Sequence, residues 1–551
     1  MKRKSWIKRS PWLGVAALLA GITGPTAQAQ QLDPPPVSSV VPISATAPVA
    51  PGAPVNRQAA LEERVAQLEA ELRAQRSQLQ RTPAVQAQEA SYANLAPAAS
   101  SAAPAKPGEP YQVGSDLKMS ANWKDGLNIE SANKDFRVHV GGRTQLDWTG
   151  FTPDATPIMG GPVGSQNAVN FRRARLRIDG TCYETMDWCS EWEFSNTVNL
   201  NPGVAGAPGA PSEITGNVAN IVVPTDVWWN FKELPLIGNI RIGNLKPCFG
   251  LEHLTSSRFL DFIERSYIQD AYTGPFNNGF EPGILAYNWT ENQMATGAIS
   301  LTRHMNNPFA FGDGGHENSL TGRLTWTPFF DEPSHGRYMM HLGIGAQYSG
   351  TNDGRLRIRA RNSVRNGASP FLSNIVDTGS LLGNSQAIIM PEFAVVYGPW
   401  LFQSEYAASF LDGAATLAGA PINGGRMFTQ AYYAEVLYFL TGEHREYERK
   451  QAAFGRVVPY ENFYCVRAMG GGRCVSRGAW QVGLRYNVID LRDGGFNGGY
   501  GQDMTVGLNW FLNPNMKIQW NYVLAGRVAP TGGQGTDGTY NGFGMRVAHD
   551  F

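Results

Sequence analysis

No stretch of this 551-residue chain carries the ~20 consecutive apolar residues that a membrane-spanning helix needs. A mean hydropathy of −0.27 and a hydrophobic content of 42% are likewise too low for a helical membrane protein. Cysteine is scarce, at five residues, and none of its spacings resembles a zinc site, so no metal is implied. No serine stands in a recognisable catalytic motif, and no residue pattern implies catalysis or a cofactor. Charge of one sign is not in excess: 46 Lys and Arg balance 46 Asp and Glu. A bulk basic surface for nucleic acid is therefore absent.

What is present begins with an export signal. Lys2, Arg3, Lys4, Lys8 and Arg9 precede an apolar stretch from Trp12 to Ile22, and Ala27-Gln28-Ala29 offers small residues for cleavage. Residues 1–29 are predicted to be a signal peptide, too short in its apolar part to span a bilayer. Its removal would leave 41 basic and 46 acidic residues, so any arginine cluster is a local feature. Export permits disulfides. Cys182 and Cys189 flank the turn Glu184 to Asp187, and Cys465 and Cys474 bracket a Gly-rich loop; either pair could bridge, with Cys248 left over.

Residues 30–56 read as a Pro/Ala-rich linker. In 57–81, Leu61, Val65, Leu68, Leu72 and Leu79 recur at three- and four-residue steps among charged neighbours. That spacing predicts a short coiled-coil helix, which would need partner helices to be stable. A second Ala/Pro/Ser-rich linker covers 82–114.

From 115 to 551 the chain reads as strand after strand. In Phe136 to Thr149, Phe136, Val138, Val140, Leu146 and Trp148 alternate with Arg137, His139, Arg143, Gln145, Asp147 and Thr149. Trp480, Val482, Leu484, Tyr486 and Val488 repeat the theme, as do Ile518, Trp520, Tyr522 and Leu524. The final stretch, Tyr540 to Phe551, places Phe543, Met545, Val547 and Phe551 on one face, with His549 breaking the pattern. A closing strand of this kind suits an outer-membrane barrel, where it would pair with the first strand and face lipid. Aromatics at 11% and 62 glycines suit interface girdles and tight turns. The predicted fold is all-β, a transmembrane antiparallel β-barrel of roughly 16 strands, wide enough to form a channel.

Several runs resemble the phosphate-selective porins, the O and P porin family of Gram-negative outer membranes. They include Lys134-Asp-Phe-Arg-Val-His-Val-Gly-Gly-Arg143, Phe171-Arg-Arg-Ala-Arg-Leu176 and Gly250-Leu-Glu-His-Leu-Thr-Ser-Ser257 through Glu264-Arg-Ser266. Gly322 to Pro328, His341-Leu-Gly343, Leu440-Thr-Gly-Glu-His-Arg445, Gly478-Ala-Trp480 and Gly507-Leu-Asn-Trp510 follow in order. The resemblance implies a homotrimer of 16-stranded barrels in the outer membrane, each with its own pore, and an N-terminal segment in the periplasm. It also implies a third loop folded inward from near Cys248, with Thr255 to Ser266 reading as a short helix.

Arginine is the natural lining of such a pore, because its planar fork pairs with phosphate oxygens and stays charged at working pH. Arg355, Arg357, Arg359 and Arg361 share one parity opposite Leu356, Ile358 and Ala360, as do Arg173, Arg175 and Arg177 opposite Ala174, Leu176 and Ile178. Read as strands, both sets face one lumen. The resemblance maps a phosphate ladder onto Arg143, Arg172, Arg173, Arg357, Arg359 and Arg365, with Arg265 on the inward loop. Arg172, on the other parity, rests on the resemblance alone. Lys134 matches one of the family's lysines, whereas His139, His253 and Cys189 stand where lysines are expected. A binding-site acid expected near Thr225 is replaced by Asp226. The competing expectation is that inward arginines merely pair with inward carboxylates such as Asp147 and Asp179. The functional expectation is a passive channel for inorganic phosphate or similar small anions. The alternatives are a general porin, or a structural barrel embedded in outer-membrane lipid and tethered to the cell wall by its coiled coil.

Overall fold

The computed structural model describes residues 112–551 apart from 116, 161–166, 196–197, 201–217, 221, 275–278, 306–317, 352–353, 366–372, 468–471 and 534. The signal peptide, both linkers and the coiled-coil segment lie outside the described residues, save the last few positions of the second linker.

A hairpin, β1 (Met119–Trp123) and β2 (Leu127–Ser131), leads into β3 (Arg137–Phe151). The wall continues through β4 (Ala168–Cys182), β5 (Met186–Glu193), β6 (Val223–Leu234), β7 (Gly238–Leu245) and β8 (Glu281–Trp289). Next come β9 (Ala295–Arg303), β10 (Asn318–Phe330), β11 (Tyr338–Gly350), β12 (Ser385–Tyr397) and β13 (Trp400–Asp412). The last five are β14 (Arg426–Phe439), β15 (Ala479–Asp493), β16 (Phe496–Asn513), β17 (Met516–Val528) and β18 (Gly538–Asp550). Each strand from β3 pairs antiparallel with the next, and β18 returns to β3 through Asp550↔Arg143 and Gly542↔Phe151, closing a barrel of 16 strands. Closure leaves the wall no unpaired edge, the condition for strands in lipid.

The seam has one addition. Beyond Asp550, Phe551 exchanges backbone hydrogen bonds with Gly142 (2.8 and 3.1 Å), and β2 then takes over the same edge of β3 from Val140 to Arg137. The junction requires Gly126, whose φ is +129° and where a Cβ would lie 2.5 Å from the Val140 carbonyl oxygen.

Period-two alternation sorts the side chains. Leu324, Ile344, Val506, Tyr522 and Phe543 lie on the outer surface, while Arg323, Thr505, Asn521 and Arg546 are buried inside. Aromatic pairs ring the end that carries the short turns, among them Trp400 on Tyr438 (4.4 Å) and Trp480 stacked on Trp510 (4.9 Å). His549 sits near that rim, where a polar residue in an apolar row is tolerated.

Described parts of three connections pack inside the barrel. The β7–β8 loop (246–280) and the β11–β12 loop (351–384) enter from the opposite, long-loop end. The β14–β15 connection (440–478) enters from the turn end. The first of these does not contain the helix expected over Thr255 to Ser266. Among the described residues of this loop, helix is found at α1 (Leu251–Leu254) and in a turn that begins at Tyr267 and Ile268 and runs on as the π-helix Gln269–Thr273. Wall side chains take the backbone groups that a helix would have used. Lys517 and Gln519 donate to the Leu260 carbonyl, Asn509 and Gln519 to that of Asp261, Arg546 to that of Ile263 and Arg485 to that of Glu264. Asn521 accepts from the Ile263 amide at 2.8 Å.

The stretch Arg355 to Arg361 is likewise not a wall strand. It forms two short loop strands, Arg355–Leu356 and Arg359–Arg361. Its alternate residues Ile358 and Ala360 are buried, with Val364, Ile375 and Val376, against the inner faces of β15, β17 and β18. The apolar partner is the barrel's own interior rather than lipid.

Candidate functional site

A cavity of about 950 Å³ lies between these loops and strands β3 to β10, lined by fifteen Lys and Arg and seven Asp and Glu. Arg143 reaches it from β3, donating to Ser257 of the inward loop (2.6 Å) and to Glu191 of β5 (2.5 Å). Arg172 and Arg173 both reach it from β4. The register between β3 and β4 shifts at Gln145/Leu146, so that Gln145 faces Arg173 while Leu146 faces Phe171. Arg172 is the extra residue of this β-bulge, and the bulge turns two consecutive arginines into the lumen.

The two arginines are used differently. Arg172 donates twice to Glu264, at 2.7 and 3.1 Å. Arg173 donates to the neutral Gln145 amide at 2.7 Å and forms no ion pair among the described residues. Arg265 is fastened by the Glu252 and Thr255 carbonyls (2.9 and 2.6 Å), again without a carboxylate ion pair, and burial pushes its guanidinium down to about 10. Arg365 enters from the β11–β12 loop onto Glu264 (2.8 Å) and Asp270 (2.5 Å).

Glu264 is thus a hub that the residue pattern did not single out. Arg172, Arg365 and Arg546 converge on it, and it is 2% exposed. Burial alone would raise its carboxyl, but Arg172 and then Arg365 hold it well below the usual carboxylate range. Arg546 also pairs with Asp147 (2.7 Å), and Arg137, Arg177 and His139 all meet Asp179. The carboxylate-pairing expectation therefore holds for part of the wall.

Other expected residues sit elsewhere. Arg357 is outside the cavity lining, its side chain 46% exposed and forked onto Asp377 at 2.8 and 2.5 Å. Arg359 is half-buried on the same loop, also away from the lining. Lys134 is exposed in the turn between β2 and β3. His139 does line the cavity, its Nδ1 2.8 Å from Asp179. His253 does not: it is buried behind the lining, with Nδ1 2.9 Å from Gln269. Burial, with Lys246 and Arg265 adding, holds its imidazole well below the usual histidine range. Asp226 lines the cavity while Thr225 turns to Glu191 at 2.9 Å.

The Cys182–Cys189 bridge does not form, and Cys248 is also free. Cys189 pairs across from inward Asp179, whereas Cys182 lies three residues further along β4 and has the opposite parity. Side chains on opposite faces of a wall cannot be bridged. The side chains of Cys465 and Cys474 lie outside the described residues.

The chain is similar to several known proteins. Residues 138–551 match the family described as Phosphate-selective porin O and P. Porin O of Pseudomonas aeruginosa is 26% identical over 463 residues, which cover 80% of this chain and 93% of that protein. An uncharacterized protein of Caulobacter vibrioides is 28% identical over 353 residues, 62% of this chain and 63% of that one. Among solved structures, the trimer form of Vibrio cholerae OmpT superposes with a TM-score of 0.41 at 9% identity, over 76% of this chain and 99% of that one. The anion-selective porin from Comamonas acidovorans gives 0.40 at 10% identity, over 76% and 100%. The chain belongs to the phosphate-selective porin O and P family and is an outer-membrane porin.

Proposed function

We propose that the barrel is a passive, anion-selective channel for inorganic phosphate or similar small anions, working as a homotrimer. The observation that carries this reading is the set of cavity cations without a carboxylate ion pair among the described residues, Arg173 and Arg265 foremost. A guanidinium already neutralised by Glu or Asp attracts little further charge. One held only by amide or carbonyl oxygens keeps its positive potential. An anion entering the cavity would exchange water for these donors and pass between neighbouring arginines, with binding weak enough at each step for release. The arginines of the bulge and the inward loop would form that path, and the Glu264 hub would fix their positions.

A general porin with slight anion preference is the second reading. It is favoured by the pairing of Arg143, Arg172 and Arg365 with carboxylates, and by His139 and Cys189 where lysines were expected. Single-channel reversal potentials in a potassium chloride gradient, followed by titration of phosphate against the chloride current, separate the two. Strong anion preference with saturable phosphate block supports the proposed channel. Near-equal permeability without block overturns it.

A further inference from the structure

One stretch of the cavity wall is built unlike the arginine ladder. Strands β6 to β8 turn Trp228, Leu285, Tyr287 and Trp289 inward, so aromatic rings cluster in this part of a lining rich in charged residues. Upon it lies Arg241 of β7, its guanidinium carbon 4.0 Å from the Trp228 ring centroid and 5.5 Å from that of Tyr287. No hydrogen bond or ion pair engages the Arg241 side chain among the described residues, and its Nε is buried without an acceptor. The rings themselves are pinned. Trp228 donates to Asp226 at 3.0 Å, Tyr287 donates to Asn230 at 2.9 Å, and Tyr287 and Trp289 lie 6.2 Å apart. Lys450, from the β14–β15 connection, stands 5.0 Å over Trp289.

Such an arrangement is poorly explained by transport of phosphate or chloride alone. These ions gain nothing from an indole or phenol face and prefer water to it. A guanidinium whose face is covered by Trp228 keeps its N–H edge for an anion. The neighbouring rings can then take a planar apolar body attached to that anion. We infer that the wall around Arg241 is a second site of the pore, selecting anions that carry an aromatic ring, such as aryl phosphates and arene carboxylates. Arg241 holds the anionic head, and Tyr287 and Trp289 hold the ring. The site rests on the anion-channel reading above and adds a substrate class to it.

The test uses the full-length porin in planar bilayers at pH 8, with block of chloride current as the readout. Phenyl phosphate is compared with inorganic phosphate, and benzoate with acetate, so that each pair differs by the ring. The ring is expected to lower the half-block concentration about tenfold in both pairs, the usual scale of one aromatic stack. Trp289→Leu should remove most of that advantage while leaving inorganic phosphate block unchanged. Arg241→Lys keeps the charge but loses the planar fork, and should reduce the advantage while preserving anion preference in the salt gradient. Gel mobility of unheated and heated samples matching that of the wild type certifies that each variant is folded. If ringed and ringless anions block equally in the wild-type pore, or if neither variant alters the difference, the aromatic wall is packing and the inference fails, with the anion channel intact. If the wild-type pore shows no anion preference at all, it is the channel reading that fails.

Discussion

Arg172 grips Glu264 with two hydrogen bonds, at 2.7 and 3.1 Å, and so ties the bulged wall strand to the inward loop. Arg365 and Arg546 close on the same carboxylate. Removing the charge in Glu264→Gln would take one carboxylate from three guanidinium groups, leaving Arg365 with Asp270 and Arg546 with Asp147. The expected loss is about 3–5 kcal/mol of stability, the usual result of stripping one member from a buried ionic cluster. Urea titration of the refolded barrel measures it. Because the Glu264 carboxyl is held low, its stabilisation is fully present above about pH 4.3 and lost only as pH falls further towards its folded value.

Arg173 and Arg357 offer a contrast between two members of the expected ladder. Arg173→Gln removes a cavity cation that forms no ion pair among the described residues, and should weaken phosphate block about tenfold, as expected for one charge-assisted hydrogen bond. Arg357→Gln removes a half-exposed cation already forked onto Asp377, away from the cavity, and should change block less than about twofold. Equal effects of the two would mean that the ion path runs along the β11–β12 loop instead.

Much of this was legible in the residues, and the gaps have physical causes. The alternation in β3, β15, β17 and β18 fixes register, because slipping one residue would place charge in lipid. The same alternation misled at Arg355 to Arg361. There the apolar residues meet Tyr540, Val523 and Ile489 inside the barrel, and a period of two cannot distinguish that surface from lipid. Arg172 was readable only by resemblance, since a bulge leaves no periodic mark. The β14–β15 connection was not read as an inward element. Its placement depends on distant partners, such as Arg445 donating to the Phe259 carbonyl (2.6 Å) and pairing with Asp261 (3.2 Å).

The coiled-coil segment yields a prediction from sequence alone. Deleting residues 57–81 should lower the temperature at which the oligomer dissociates in detergent while leaving single-pore conductance unchanged. Gel mobility after stepped heating and bilayer recording measure the two. Loss of conductance would place the segment in the pore.

One of the two histidines standing where lysines were expected, His253, allows a prediction in acid. The sequence suggests that lowering the pH would recharge both and strengthen anion selectivity. His253, however, is buried, and that burial, with Lys246 and Arg265 adding to it, holds its imidazole well below the usual histidine range. It should stay neutral between pH 7.5 and 5.5 and add nothing to selectivity. Its effect falls on stability instead. A histidine with a lowered folded value binds fewer protons in the folded than in the unfolded chain, so stability declines as pH drops below about 6.5. His253→Gln, which can keep the hydrogen bond to Gln269, should flatten that decline in urea titrations. Among the described residues His253 lies behind the cavity lining, so His253→Gln should leave chloride selectivity and its pH dependence as they are in the wild-type pore. A chloride selectivity whose pH dependence changes in His253→Gln would show that His253 reaches the ion path and that the β7–β8 loop opens in the working channel.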